Sequence, residues 1–304
     1  MDRQKVLAIV GPTGIGKTSL SVWLAKQLDG EIISCDSMQV YKKMDIGTAK
    51  VTQEEMQGIH HELIDVQNYN EPYNVKVFQE KCRTAIEDVV KRGKFPILCG
   101  GTGLYLKAAL YDYEFQEENE DIAYTAFLNS KTNEELVAML KEKDEKALEK
   151  IHPNNRKRLI RALQICRSGT SKSEQEDKQQ HIPLYDVYFL GLDVNREILH
   201  DRINKRVDIM FENGLVKEVE DLFTNPETWE YTSFQGIGYK EFKDYFLKEK
   251  SIDEVKTAIK THSRQYAKRQ YTWFKNQMPV HWFEAQNRDE IYSAVKEWLM
   301  DEDK

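Results

Sequence analysis

Cysteine is scarce: Cys35, Cys82, Cys99 and Cys166 are the only four in 304 residues. They form no C-x-x-C pair, so the spacing indicates neither a zinc site nor a disulfide framework. A reducing cytoplasm is the simplest setting for such a chain. Long apolar runs are also missing. None approaches the ~20 residues of a membrane span, and no membrane partner is expected. Met1 to Lys5 run straight into the first apolar stretch, which leaves no room for a signal peptide. There is no internal repeat and no low-complexity tract. Apolar content is ordinary and charge plentiful, as in a soluble globular protein. The length fits about two domains and can bury a core without staples.

A positive balance is lacking too, since the formal net charge is −7. Taken alone that weighs against nucleic acid, but the charges are segregated. Arg156 to Lys172 holds six basic residues and no acid, and Lys256 to Lys275 again six and no acid, whereas Asp112 to Asp121 is purely acidic. Basic surfaces on an acidic body are one reading; solvated helix faces are the other.

The strongest local signal is Gly11-Pro12-Thr13-Gly14-Ile15-Gly16-Lys17-Thr18, which fits G-x-x-x-x-G-K-[ST] at every fixed position. Val6 to Val10 before it read as a buried strand. Leu20, Trp23, Leu24 and Leu28 after it recur at helical spacing. That strand–loop–helix context is what a phosphate-binding loop requires. Glycines let successive backbone N–H groups face one phosphate, and the helix N-terminus adds positive potential. Lys17 would neutralise phosphate oxygens and the Thr18 hydroxyl would sit on Mg²⁺. The loop does not specify whether the phosphate belongs to a nucleotide or to another diphosphate.

Ile32 and Ile33 form a second short strand with Asp36 at its C-terminal end, where ligands of open α/β sheets bind. Asp36 is either a general base or a capping or turn aspartate. The adjacent His60 and His61 lack metal-ligand spacing and point opposite ways in a strand. A helix is expected from Val77 to Arg92, ended by Gly93. Phe95 to Cys99 reads as a strand running into Gly100-Gly101-Thr102-Gly103. A P-loop ATPase usually has an Mg²⁺-positioning acid after such a strand. Here the exit offers the small hydroxyl of Thr102 and looks built for close approach to a substrate. Two other apolar runs end in Asp65 and Asp193, so an acid stays possible. Leu136, Leu140, Leu148 and Ile151 mark a helical stripe, and Arg156 to Cys166 a basic helix with Leu159, Leu163 and Cys166 inward. Gly169 to Gln180 is a polar loop, after which Val187 to Leu192 resume strand character. The architecture expected is α/β: a P-loop NTPase-like parallel sheet core of residues 1–111 and 183–304, helix-rich towards its C-terminus, with a helical insertion of residues 112–182. Arg264, Lys268, Tyr271 and Lys275 share one face of a late helix. They suit RNA phosphates and bases, or equally an aromatic core face with solvated lysines.

GPTGIGKT, ISCDSMQVYKKMDIGTAK, LCGGTGLYL, IHPNNRKRLIRAL, RVDIMFENGLVKEV, GIGYKEF and THSRQYAKRQYTWF together resemble the tRNA dimethylallyltransferase family, in that family's order and over nearly the whole chain. The resemblance implies transfer of a dimethylallyl group from dimethylallyl diphosphate to the exocyclic N6 amine of the adenosine immediately 3′ of the anticodon, in tRNAs reading codons that begin with U. It implies diphosphate and Mg²⁺ binding by Thr13 to Thr18, and Asp36 as proton acceptor. Ser37, Met38 and Gln39 would lie against the target base, Thr102 at the reacting centre, and Arg206 on diphosphate. Lys157, Arg158, Leu159, Ile160 and Arg161 would contact the tRNA anticodon stem-loop. A monomer is expected. One departure is visible: no arginine lies between Arg92 and Arg156, and Tyr124 stands near the place where family members carry a tRNA-contacting arginine. The competing readings are a P-loop small-molecule kinase with Asp36 as base, and a non-catalytic RNA-binding module, which would leave the loop idle.

Overall fold

The structure is a computed structural model that describes residues 3–115, 121–169, 171–174 and 181–301. Glu117, Glu118 and Glu120 of the acidic run, and residues 175–180 of the polar loop, lie outside these. The chain forms two compact units, Met1–Tyr111 with Pro183–Lys304, and Asp112–Ile182.

The larger unit is built on six strands: β1 Lys5–Val10, β2 Gly30–Ser34, β3 His61–Glu62, β4 Phe95–Gly100, β5 Asp186–Asp193 and β6 His281–Glu284. Their order is β3-β2-β4-β1-β5-β6, with every pairing parallel. The uninterrupted apolar run of β1 follows from burial on both faces. Val6, Ala8 and Val10 enter one core cluster, and Leu7 and Ile9 enter the other. The helices α1 Lys17–Leu28 and α12 Arg288–Met300 cover the second face; Leu20, Leu24, Ile291 and Val295 are buried there. The first face takes α3 Val75–Lys91, α4 Gly103–Leu110, α8 Arg196–Glu212, α9 Leu215–Leu222 and α11 Ile252–Gln277. Two single-turn helices, α2 Gln53–Met56 and α10 Lys243–Phe246, lie in the connections.

Helix α3 starts two residues before the sequence indicates, because Asn74 Oδ1 accepts from the N–H groups of Lys76 and Val77. It ends where Gly93 takes φ +72°, as expected of a glycine that closes a helix.

The smaller unit consists of α5 Ile122–Asn129, α6 Asn133–Asp144, a 3₁₀ turn Glu145–Glu149 and α7 Arg156–Arg167. Leu128, Leu136, Leu140, Ile151, Leu159 and Leu163 form its core. The helical stripe that sequence extends through Leu148 breaks earlier. The Asp144 carboxylate accepts from the Ala147 N–H and from Ser173 N–H and hydroxyl, which turns the chain into the 3₁₀ segment. Leu148 is therefore half-buried rather than core, and Cys166 on α7, expected to point inward, is half-buried as well.

The GGTG exit of β4 is tight for internal reasons. A Cβ on Gly100 would meet the Cys35 carbonyl oxygen at 2.4 Å, one on Gly101 the Gln270 amide at 2.1 Å, and one on Gly103 the Trp273 ring at 2.0 Å. The close approach read from sequence is to the protein's own backbone and side chains. Gly100→Ala is expected to lower unfolding free energy by about 1–3 kcal/mol, because β2 backbone must move. Denaturant titration checks this; a change under about 0.5 kcal/mol, the range of innocuous surface substitutions, would show that the contact relaxes freely.

Candidate active site

The phosphate loop leaves β1 and enters α1 with Gly14 and Gly16 at φ +79° and +108°, a backbone region that β-carbon sterics close to most residues. Gly16 caps α1 without a side chain to satisfy the first-turn N–H groups. By contrast α6 carries a full capping box from Thr132 and Glu135. The open N–H groups and helix dipole make the α1 end an anion site. Lys17 Nζ donates to the carbonyls of Gly11 at 2.9 Å and Pro12 at 2.8 Å. Ile15 is buried in the core, so the loop holds a ligand there through backbone alone. Thr18 is exposed at the loop's end.

Two helices brace the loop. Arg206 on α8 donates to Thr13 Oγ1 and to the Ala49 carbonyl, both at 3.1 Å. Arg202, one turn earlier, reaches the Ile15 carbonyl at 3.4 Å. From α11, Gln270 accepts from Thr13 N–H at 2.9 Å and donates to the Gly101 carbonyl at 2.9 Å.

Asp36 follows β2. Its Oδ1 accepts from Met38 N–H at 2.8 Å and Gln39 N–H at 3.3 Å. It is thus a turn aspartate, and the turn leaves Oδ2 available. The two sequence readings of Asp36 are compatible, because the turn fixes the carboxylate in the cavity. That cavity, about 370 Å³, is lined by Thr13, Asp36, Ser37, Met38, Arg206 and Tyr266, and on its apolar side by Ile203, Val207, Met210, Ile237 and Ile259. Gln39 turns aside and donates to the Ala49 carbonyl at 3.1 Å. Thr102 Oγ1 is buried with no hydrogen-bond partner of normal geometry, although the Tyr266 phenol lies beside it. A buried polar atom left unsatisfied is uncommon; Thr102 shares this property with the Tyr41 and Tyr73 hydroxyls and is not among the residues lining the cavity.

Burial lowers the Lys17 pKa to about 8, against the opposing pull of Cys99 and the Asp36 carboxylate. Burial also depresses that of Arg206, again opposed by Asp36; a guanidinium nonetheless remains charged. Burial, with Asp36 adding to it, pushes the Tyr266 phenol up to about 12. Asp36, Lys17, Arg206 and Tyr266 therefore share one electrostatic environment.

The acids that a nucleotide kinase would use are engaged elsewhere. Asp65 pairs with Lys50 at 2.6 Å. Asp193 accepts from the Tyr271 hydroxyl at 2.9 Å and from Val194 N–H at 2.8 Å. Among the described residues one trio, Glu31, His60 and Glu62, gathers ligand atoms within 4.8 Å of one another. Arg92 already bridges its two carboxylates at 2.6 and 2.8 Å, and the trio involves the edge strand β3, not the loop. At the loop a magnesium ion would find the exposed Thr18 hydroxyl. A single hard protein oxygen fits an ion held chiefly by a ligand's phosphates and water.

Of the basic helix α7, Lys157, Arg158 and Arg161 are exposed and Ile160 half-buried. Leu159 is 0% exposed in the smaller unit's core, so its side chain is structural, a correction to its place among the contacts. Arg156 is tied internally to the Asn129 carbonyl and to Asn133. Arg167 stacks over the Tyr124 ring at 5.2 Å. On α11, Lys256 and Lys260 pair with Asp208 at 2.6 and 2.7 Å, and Arg264 donates to Asn204; half of that basic run is intramolecular.

Sequence reading missed Gln270 and Glu218. The Glu218 carboxylate accepts from the N–H groups of Asp45, Ile46 and Gly47 at 2.8, 2.7 and 3.0 Å and from the Tyr239 hydroxyl at 2.6 Å. It thereby fixes the loop whose Ala49 carbonyl holds Arg206. A signal existed for both. Gln270 lies between Ala267 and Phe274, and Glu218 between Leu215 and Leu222, at spacings that place polar residues on buried helix faces.

A parallel sheet with a GKT loop, opening on a half-apolar cavity that carries one carboxylate, is an α/β core of the P-loop-like class. Residues 39–277 match the IPP transferase family. The chain is 49% identical to a tRNA dimethylallyltransferase of Bacillus anthracis over 301 residues, covering 97% of this chain and 96% of that one. The crystal structure of a tRNA delta(2)-isopentenylpyrophosphate transferase from Staphylococcus epidermidis superposes with a TM-score of 0.72 at 41% identity, covering 97% and 99% of the two chains. A eukaryotic dimethylallyltransferase acting on tRNA superposes with a TM-score of 0.82 at 32% identity, covering 97% and 79%. The chain belongs to the tRNA dimethylallyltransferase family, and the kinase reading falls with that finding.

The Lys17 pKa generates a binding prediction. Its ammonium is the form that binds an anion, and the free form titrates near 8. Affinity for inorganic diphosphate should therefore fall as pH rises above about 8, by up to about tenfold per unit until the pKa of the complex is reached. Lys17→Arg, which stays charged, should flatten the curve. Calorimetric titration between pH 7 and 9.5 tests this; an unchanged slope in Lys17→Arg would take Lys17 out of anion binding.

Proposed function

We propose that this protein transfers the dimethylallyl group of dimethylallyl diphosphate to N6 of the adenosine immediately 3′ of the anticodon, in tRNAs that read codons beginning with U, releasing diphosphate. The observation that carries the reading is the cavity itself. Its lining combines Thr13 and Arg206, which are hydrogen-bonded to each other, the apolar side chains of Ile203, Val207, Met210, Ile237 and Ile259, and the carboxylate of Asp36. A charged head joined to a short branched hydrocarbon fits such a cavity.

The adenine amine attacks C1 of the allylic group. The new C–N bond forms as the C1–O bond breaks, and the electron pair leaves with the diphosphate. Lys17, Arg206 and the N–H groups of the α1 end stabilise that growing negative charge, an interaction stronger in the transition state than in the ground state. Magnesium, held by Thr18 and the diphosphate, would supply further neutralisation. The attacking nitrogen becomes cationic and its proton acidic. Asp36 Oδ2 takes that proton, and the buried Thr102 hydroxyl orients the amine. The adenosine leaves its stack to enter the cavity. Lys157, Arg158 and Arg161 contact phosphates of the anticodon stem-loop. The enzyme works as a monomer in the cytoplasm; among the described residues no helix is long and apolar enough to cross a membrane.

Asp36→Asn keeps the turn acceptor and removes the base. Its single-turnover rate with dimethylallyl diphosphate and unmodified tRNA should fall ~10²–10⁴-fold, with binding of both substrates retained. Quench-flow measurement with labelled prenyl diphosphate tests this. A rate within about threefold of wild type, far short of a general-base effect, would leave Asp36 as a turn residue only.

A further inference from the structure

Two antiparallel helices contribute facing walls to the cavity. Asn204 of α8 pairs with Arg264 of α11, Asp208 with Lys260 and Lys256, and the Phe211 ring with the Lys256 ammonium at 5.5 Å. A step of four residues forward on α8 is therefore a step of about four back on α11. That register sorts lining residues into tiers: Ile203 level with Tyr266, Arg206 with Ser263, and Met210 with Ile259. On each helix the spacings are those of a single face.

The phosphate loop tells which end is which. A Cβ on Gly14 would meet Ile203 Cγ1 at 3.1 Å, so the first tier lies against the loop. In the second, Arg206 donates to Thr13 Oγ1. The third is wholly apolar and stands one helical turn, about 6 Å, beyond Arg206. Met210 is the last residue of α8 to line the cavity and Ile259 the first of α11. Ile259 is buried in the core, as is Val255 one turn further on. The cavity thus ends, along these two helices, on Met210 and Ile259.

The distance from cation to apolar end is a length a substrate must match. From the oxygen it shares with phosphorus, a dimethylallyl group extends over four bonds of about 1.5 Å, roughly 5 Å in its zigzag. The ten-carbon homologue adds a similar length again, which falls where the third tier stands. Forcing extra carbons into a packed wall displaces side chains and is unfavourable.

We propose that Met210 and Ile259 form the floor of the cavity and restrict the donor to the five-carbon allylic diphosphate, excluding the ten-carbon one. The inference rests on the functional reading above and adds the residues that set the length of the transferred group. Ile259 is β-branched and stiff, and fixes the floor from the core side. Met210 is half-buried and flexible, and fills the remaining gap.

The test gives the full chain an unmodified anticodon stem-loop and an equimolar mixture of dimethylallyl and geranyl diphosphates. Nucleosides released by digestion are separated by mass, and the ratio of ten-carbon to five-carbon adenosine reads the ratio of kcat/KM for the two donors. Wild type should give the five-carbon product almost alone. Met210→Ala should raise the ratio by about tenfold or more, as expected when an apolar pocket changes by a methylene or two. Met210→Ala combined with Ile259→Ala removes about six heavy atoms, against the five carbons of one isoprene unit, and should raise it further, since such cavities collapse only in part. Met210→Leu, a volume-conserving change, should keep the wild-type ratio. Ile259→Val, the mildest truncation of the core, should raise it least. A purely structural role would slow both donors alike and leave the ratio where it was, so partial loss of folded protein does not imitate the result. Ratios equal to wild type in every truncated variant overturn the proposal, as does a wild type that uses both donors equally. A wild type that transfers neither group removes the functional reading instead.

Discussion

The side chain of Gln270 is the tie on which the site depends. Its amide spans the exits of β1 and β4, accepting from Thr13 N–H and donating to the Gly101 carbonyl. It is 6% exposed, and a buried amide with both ends engaged is rigid, because freeing either end leaves a polar group unsatisfied. Gly101 has no side chain because this amide fills the space that a Cβ would take. Through this one residue α11 sets the spacing between the phosphate loop and the β4 exit that carries Thr102.

The bracing from α8 works on the same loop by a different route. Arg206 is held by the Ala49 carbonyl, and the segment that presents this carbonyl is fixed by the four hydrogen bonds of Glu218. A carboxylate that accepts three backbone N–H groups acts much as a helix cap does. Arg206 is thus positioned through an acid on α9 that does not itself line the cavity. Charge at the site and order in the neighbouring loop are coupled through backbone.

The parts of this fold legible in the sequence are those governed by local rules. The strand of β1, the glycine-rich turn and α1 follow from short-range sterics and periodicity, and the burial of Leu159 follows from spacing on α7. The pairing of distant polar groups does not. Nothing local tells Gln270 to seek Gly101, or Asp193 to accept from Tyr271. Periodicity flags a polar residue on a buried face without naming its partner, since partners are chosen by sheet order and helix packing. The same limit applies to the basic segments. Charge counting treats Lys256 and Lys260 like Lys268, yet only the fold shows that Asp208 has claimed the first two. It applies to GGTG as well: small residues announce close approach, but whether ligand or protein approaches is a tertiary fact.

The distribution of acids around the loop then follows from the chemistry. Phosphoryl transfer spreads charge over an entering and a leaving oxygen, and a metal-holding carboxylate beside the β and γ phosphates serves both. Allylic transfer concentrates new negative charge on the departing diphosphate, while the electrophilic carbon and attacking nitrogen become electron-poor. Cations belong at one end of the cavity and a single carboxylate at the other. On the function proposed above, Lys17 and Arg206 would meet the diphosphate and Asp36 the amine, with the apolar residues of α8 and α11 lining the cavity beside Arg206 and Asp36. Asp65 and Asp193, at ends of apolar runs where a kinase would use them, are neutralised by Lys50 and capped by Tyr271. An additional free carboxylate beside the loop would oppose the diphosphate before reaction and still more as it leaves. Engaging those acids elsewhere is therefore part of what makes a phosphate loop serve carbon–nitrogen bond formation.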